Sequence, residues 1–334
     1  MKTNFILRVM VMVLLTVVMV SCAGEYMNIP TKDDRQEIVL GDNAVKLHAH
    51  TQGEGIAVVL FAVGYDDEKE VLEQICDDLF AYEPYRKLKT FFDVYGIYIT
   101  EDFPKLYIDS KNRIMTDKEQ VCEIVRRELG VDCLWNMNLV VCTPFMMASS
   151  CAIISSDIHE TLALCFYGNA DRKEDTYILA HEVGGHSIAG LCDEYVMVSE
   201  HITEEGYDFV GDMQDMGKYL NISLSDNPEQ VGWKKFLSME QYDDVAIVEG
   251  GYYYQYGVWK SSEGNVMDCS GYKYSTFQRY CIWQTVHEKA KVPTTLSDFL
   301  EYDSQCMFSR VMVDKPSSGA LERMRSRHAE ILID

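Results

Sequence analysis

The chemistry of this chain is concentrated in "AHEVGGHSIAGLCDEY", Ala180 to Tyr195. Two histidines, a glutamate beside the first and an Asp-Glu pair downstream are the residue types that bind zinc and use it. In an H-E-x-x-H helix the imidazoles stand four apart on one face, with the glutamate placed as a base. Here His181 and His186 are five apart, because Gly184 and Gly185 both lie between them. On a regular α-helix a spacing of four leaves side chains about 40° apart, whereas five leaves about 140°. A single π-type turn, closing i to i+5, would bring them back to one face, and such turns gather at functional sites. Two glycines inside a helix each cost about 1 kcal/mol relative to alanine. Close packing or a distorted turn is therefore expected to require them.

Glu182 is placed as general base for a water activated by zinc, which lowers the pKa of bound water to about 7. Gly190 can end the helix in a left-handed turn, and the returning chain then offers Asp193 or Glu194 as a third ligand. The competing reading is a pair of histidines on a core helix with no metal. Glu182, the glycine pair and the following acids together favour a zinc site, with the unused acid orienting a ligand.

Several elements must position these residues. "EIVLGDNAVKLHAHT" and "GIAVVLFAVGY" read as strands, followed by a helix from the acidic start "DDEKE". "DVYGIYIT" is a strand, and "TDKEQVCEIVRRELG" is a capped helix closed by Gly130. "MNLVVCTPF", "CAIISS" and "TLALCFYG" are further strands leading into the metal helix, which Asp171 caps with Glu174 three residues on. This order predicts one α/β domain with a mixed sheet. After Asp193 the pattern turns loop-rich, closing on a helix near Phe277–Lys291 and another near the C-terminus.

Beyond single residues, "HEVGGHSIAGLCDEY" resembles the active-site motif of the bacterial IgA-peptidase family of zinc metallopeptidases. The match runs from His186 through Gly190, Leu191, Asp193, Glu194 and Tyr195, and the extra glycine is a departure. "VLFAVGYDDEKE" and "FAYEPYRKLKTFFDVYGIYI" are similar to the family's N-terminal half. "GGYYYQYGVWKSSEGNVMDCSGYKYSTFQRYCIW" is similar to its segment after the zinc helix, although "WKSSEG" departs from it. Coverage is roughly Glu37 to Lys291. The resemblance implies a metzincin-like domain with an active-site helix and a Met-turn at Met267. It implies one Zn2+ on His181, His186 and Asp193, with Glu182 as catalytic base and Glu194 as the alternative ligand. Arg279 matches a recurring arginine. The implied activity is endopeptidase hydrolysis of a protein or peptide substrate. Two other functions are weighed beside it: a catalytically decayed surface-binding lipoprotein, and a zinc amidase acting on cell-wall peptides.

The N-terminus "MKTNFILRVMVMVLLTVVMVSC" has Lys2 and Arg8 before an uncharged run from Val9 to Val20. That run is shorter than the roughly 20 apolar residues of a spanning helix, so it reads as an export signal. Cys22 resembles the lipidated cysteine of bacterial lipoproteins. The expected layout is a signal over 1–21, a tether over 22–35 and the peptidase domain over 36–334, lipid-anchored to the outer membrane, facing the periplasm or the cell surface. Removing the signal takes two positive charges from a net −23, leaving −25. Such acidity argues against nucleic acid and against adhesion to anionic lipid, so the N-terminal lipid is the expected membrane contact.

The remaining candidates are weaker. Ten cysteines follow Cys22 without a C-x-x-C, several in apolar runs, and read as buried packing. Cys192 beside the ligands is of this kind. His48 and His50 share a strand face, and His287 sits in a helix turn. The Tyr252–Tyr254 run reads as a strand with aromatic faces, one tyrosine being available to an oxyanion.

Overall fold

The computed structural model describes residues 37–98, 103–110, 112–133, 137–144, 149–154, 161–169 and 171–308. The expected signal, the lipid site at Cys22 and the tether lie outside the described residues.

A six-stranded mixed sheet forms the centre. Its strands are β1 (Ala44–His48), β2 (Ile56–Ala62), β3 (Phe92–Ile97), β6 (Met137–Thr143), β7 (Cys151–Ile154) and β8 (Thr161–Phe166), in the spatial order β1-β3-β2-β6-β8-β7. Strands β3, β2, β6 and β8 run parallel, and antiparallel β1 and β7 close the two edges. The parallel strands read as continuous apolar runs because both faces are covered. Val58, Val59, Leu60, Phe61, Leu139, Val140 and Val141 are fully buried, each contributing about 1.5–3 kcal/mol through removal from water. The short pair β4 (Tyr107–Ile108) and β5 (Ile114–Met115) stands apart from this sheet.

Helix boundaries follow local chemistry. Helix α1 (Glu68–Leu79) starts at Asp67, whose side chain accepts from the Glu70 amide, and buries Leu72, Ile75, Cys76 and Leu79. Helix α2 (Lys118–Leu129) is capped by Asp117 and stopped by Gly130 at φ 67°. After β8, helix α3 (Arg172–Ile178) begins at Asp171, which accepts from the Lys173 amide. The buried Asp175 carboxylate receives the Gly168 and Asn169 amides, fixing the turn from β8 into the helix. The helix then continues as a π-helix over Leu179–Ile188. This segment lies against β6, β7 and β8 and touches α1.

Downstream of Asp193 the chain is more regular than its sequence suggests. Strands β9 (Val196–His201), β10 (Ile222–Ser223), β11 (Val248–Gly251) and β12 (Tyr253–Lys260) form a second sheet, with β9 parallel to β12. Helix α4 (Glu204–Asp215), capped by Thr203, accompanies it over a small core of Cys192, Val210, Ile222 and Val258. Helices α5 (Thr276–Lys289) and α6 (Leu296–Phe308) close the described chain, α5 with a full capping box between Ser275 and Gln278. Among the described residues no helix is long and apolar enough to cross a membrane.

Candidate metal centre

The extra glycine is absorbed by the backbone. The expected single π-type turn is instead a ten-residue π-helix, Leu179–Ile188. Both glycines sit where no side chain fits. A Cβ on Gly184 would meet the Tyr274 hydroxyl at 2.5 Å and the Tyr85 ring at 2.8 Å. On Gly185 it would meet the Met267 sulfur at 2.3 Å. Tyr274 and Tyr85 donate to the carbonyls of Ala180 and Gly184, supporting the widened turns from outside. Lys289, half-buried and lowered by desolvation to about 8, donates to the Ile188 carbonyl at the helix end. Gly190, at φ 63°, then turns the chain back.

This widening brings the two imidazoles together, with ring centroids 4.8 Å apart and planes nearly perpendicular. His181 Nδ1 lies 3.0 Å from the Val266 carbonyl, and His186 Nδ1 lies 2.7 Å from the Leu191 carbonyl. A carbonyl only accepts, so each Nδ1 carries a proton, and in the neutral imidazole each Nε2 then presents a lone pair. Both Nε2 atoms face one carboxylate oxygen, Asp193 Oδ1, at 3.1 and 3.2 Å. With both rings neutral, three acceptor atoms converge in a buried space, and positive charge there, a proton on His186 or a bound metal ion, relieves their repulsion. Zinc bonds of about 2.0–2.2 Å at tetrahedral angles place ligand atoms about 3.3–3.5 Å apart, close to these spacings. Among the described residues no other group of three or more His, Cys, Asp or Glu brings its ligand atoms together in this way. The donor set fits zinc.

Electrostatics point the same way. Burial would lower His186, but the Asp193 carboxylate, helped by Glu182, raises it to about 9. Burial would raise Asp193, yet the two histidines hold it well below the usual carboxylate range. The site therefore draws positive charge to this point. Glu182, buried in the same helix, also acts on Cys151, which burial first and this glutamate next push up to about 12.

Asp193 and Glu194 point to opposite sides. Asp193 joins the histidines. Glu194 is fully buried and accepts from Asn221 Nδ2 at 2.8 Å and Asn265 Nδ2 at 2.7 Å. Its amide donates to the Met267 carbonyl, and its own carbonyl receives Lys260 Nζ. Burial raises Glu194 to about 7 against these favourable partners. Glu194 thus fastens the Asp193 loop to the Val266–Met267 turn. That turn lies against Gly185 through the Met267 side chain, and its Val266 carbonyl also receives the Tyr177 hydroxyl.

The tyrosine run is kinked as well as strand-like. Tyr252 and Tyr253 have φ of 47° and 72°, a left-handed conformation that costs about 1–3 kcal/mol in a non-glycine residue. The Tyr253 hydroxyl donates to Asp193 Oδ2 at 2.7 Å. Tyr195 is buried with its ring 5.3 Å from that of Tyr253. Nothing in the sequence marks Asn221, Asn265 or Lys260 as partners of the ligand loop, because the contacts span 27 to 71 residues.

The weaker candidates take structural places. His48 Nε2 donates to the Lys89 carbonyl, while His50, beyond the end of β1, pairs with Asp93 at 2.7 Å. His287 is buried between the Phe91 and Trp283 rings. Cys192 packs in the small second core. Arg279 forms a buried pair with Asp303 at 2.7 and 2.9 Å, tying α5 to α6. No protein-family model matches the chain, and a search of curated proteins returns no match.

Proposed function

We propose that this chain is a zinc-dependent endopeptidase with a metzincin-like domain, similar to the bacterial IgA-peptidase family. The observation that carries this reading is the convergence of His181 Nε2, His186 Nε2 and Asp193 Oδ1 at 3.1 and 3.2 Å, with both Nδ1 atoms anchored on carbonyls. Those three side chains would hold the ion, and Met267, whose side chain packs against Gly185 of their helix, would serve as the Met-turn methionine. Bound there, zinc supplies Lewis acidity, making water acidic near neutral pH and polarising a peptide carbonyl.

The chain's own residues do the rest. The carbonyls of Val266 and Leu191 fix the imidazole tautomers and orientation and raise ligand basicity. Glu182 takes the proton of the attacking water and returns it to the departing amine. Asp193 supplies the negative charge that balances the cation. A decayed scaffold is the expectation if histidines five apart diverge, and their convergence on Asp193 favours the catalytic reading over it. Export and a lipid anchor at Cys22, at the bacterial outer membrane, belong to the same proposal and rest on the N-terminal pattern.

Cleavage assays on unfolded proteins and on cell-wall peptide fragments test the reaction and separate endopeptidase from amidase. Glu182→Ala should keep its zinc and lose hydrolysis by about 100- to 10,000-fold. Wild-type turnover in that variant would remove Glu182 from the mechanism.

A further inference from the structure

We propose that Tyr253 is a positioning residue that holds Asp193 as a one-oxygen ligand and so keeps a coordination position open. The inference rests on the metal-site reading above. Asp193 has two carboxylate oxygens, and the structure gives them different duties. Oδ1 faces both Nε2 atoms, while Oδ2 receives the Tyr253 hydroxyl at 2.7 Å. A tyrosine hydroxyl has one proton to donate, so Tyr253 is committed to the ligand and not to a substrate oxyanion.

The backbone is built around this contact. The left-handed pair Tyr252–Tyr253 follows a register shift between Glu249 and Gly251 in the β11–β12 pairing. The kink lets the Tyr252 amide donate to the Asp193 carbonyl and the Tyr253 amide to the Tyr195 carbonyl, each at 3.0 Å. Two successive residues thus grip the ligand segment three times, twice through its backbone and once through the distal oxygen. Freed of the hydroxyl, Asp193 could bind through both oxygens and occupy the place that water and substrate need.

The test uses the mature chain loaded with cobalt(II) in place of zinc, comparing wild type with Tyr253→Phe and with the exposed-site control Tyr256→Phe. In Tyr253→Phe the visible cobalt absorption should weaken as coordination number rises, and metal affinity should change by about tenfold or more. The kcat should fall while KM stays near wild type, and Tyr256→Phe should match wild type throughout. Identical cobalt spectra and affinities in wild type and Tyr253→Phe would overturn the role of Tyr253 and leave the metal site standing. A wild-type chain that binds no cobalt would overturn both. If Tyr253→Phe does not fold, a crystal structure of the cobalt-loaded wild type decides. One Asp193 oxygen within about 2.0–2.2 Å of the metal is expected, and two would contradict the proposal.

Discussion

Alanine placed at Gly184, Gly185 and Gly211, one at a time, sets helix propensity against packing within a single protein. Propensity alone favours each change by about 1 kcal/mol. At Gly211, inside α4, a Cβ meets nothing within 4 Å, so that gain should survive. At Gly185 the Cβ would stand 2.3 Å from the sulfur and 2.8 Å from the methyl of fully buried Met267. Overpacking of this kind costs about 1–3 kcal/mol, leaving a net loss of up to about 2 kcal/mol. At Gly184 the clash falls on the Tyr274 hydroxyl and the buried Tyr85 ring. There the strain is joined by loss of the hydrogen bond from Tyr274 to the Ala180 carbonyl, about 1–3 kcal/mol more. The net cost at Gly184 is about 1–5 kcal/mol. Urea unfolding of the three variants, metal-free and metal-loaded, reads these differences, with melting points shifting about 2–4 °C per kcal/mol. Stabilisation at Gly184 or Gly185 comparable to that at Gly211 would refute the claim that close packing imposes the glycine pair.

Two further outcomes follow from buried groups. Asn221→Ala removes the donor to Glu194 and both bonds to the Cys192 backbone, and should destabilise the fold by about 2–4 kcal/mol in thermal unfolding. Metal affinity should fall with it, since the same loop carries Asp193. Burial lowers His287 from its ordinary 6.5, despite the Trp283 carbonyl that favours its charged form. The unfolded chain therefore takes up this proton first, and stability should decline as pH falls from about 6.5 towards the lower folded value. Urea midpoints between pH 7.5 and 5.5 should show the decline, and His287→Gln should flatten it.

The first half of the fold was readable because each element carried its own signal. The run "IAVVLFA" gave β2, Asp117 and Gly130 bracketed α2, and the parallel core strands were long apolar stretches. The second half was not. Helix α4 turns Tyr207 and Phe209 to solvent and contains Gly206 and Gly211, so its apolar period is blurred. Strand β9, "VMVSEH", is largely exposed and is held by parallel pairing with β12, some sixty residues away. At the site, residue types singled out the three side chains that the fold brings together, and the glycine pair pointed to a π distortion. Its ten-residue length depends on tyrosines and a methionine brought in from elsewhere in the chain. The choice between Asp193 and Glu194 turned on Asn221, Asn265 and Tyr253, whose approach only the folded chain reveals.

Metal content tests the central claim most directly. The tag-free mature chain and its His186→Ala variant would be incubated with zinc, dialysed and measured by elemental analysis. The converging imidazoles and carboxylate predict about one zinc per wild-type chain and its loss in the variant. No retained zinc in either protein would mean that the widened helix does not build a metal site, and the peptidase proposal would fall with it.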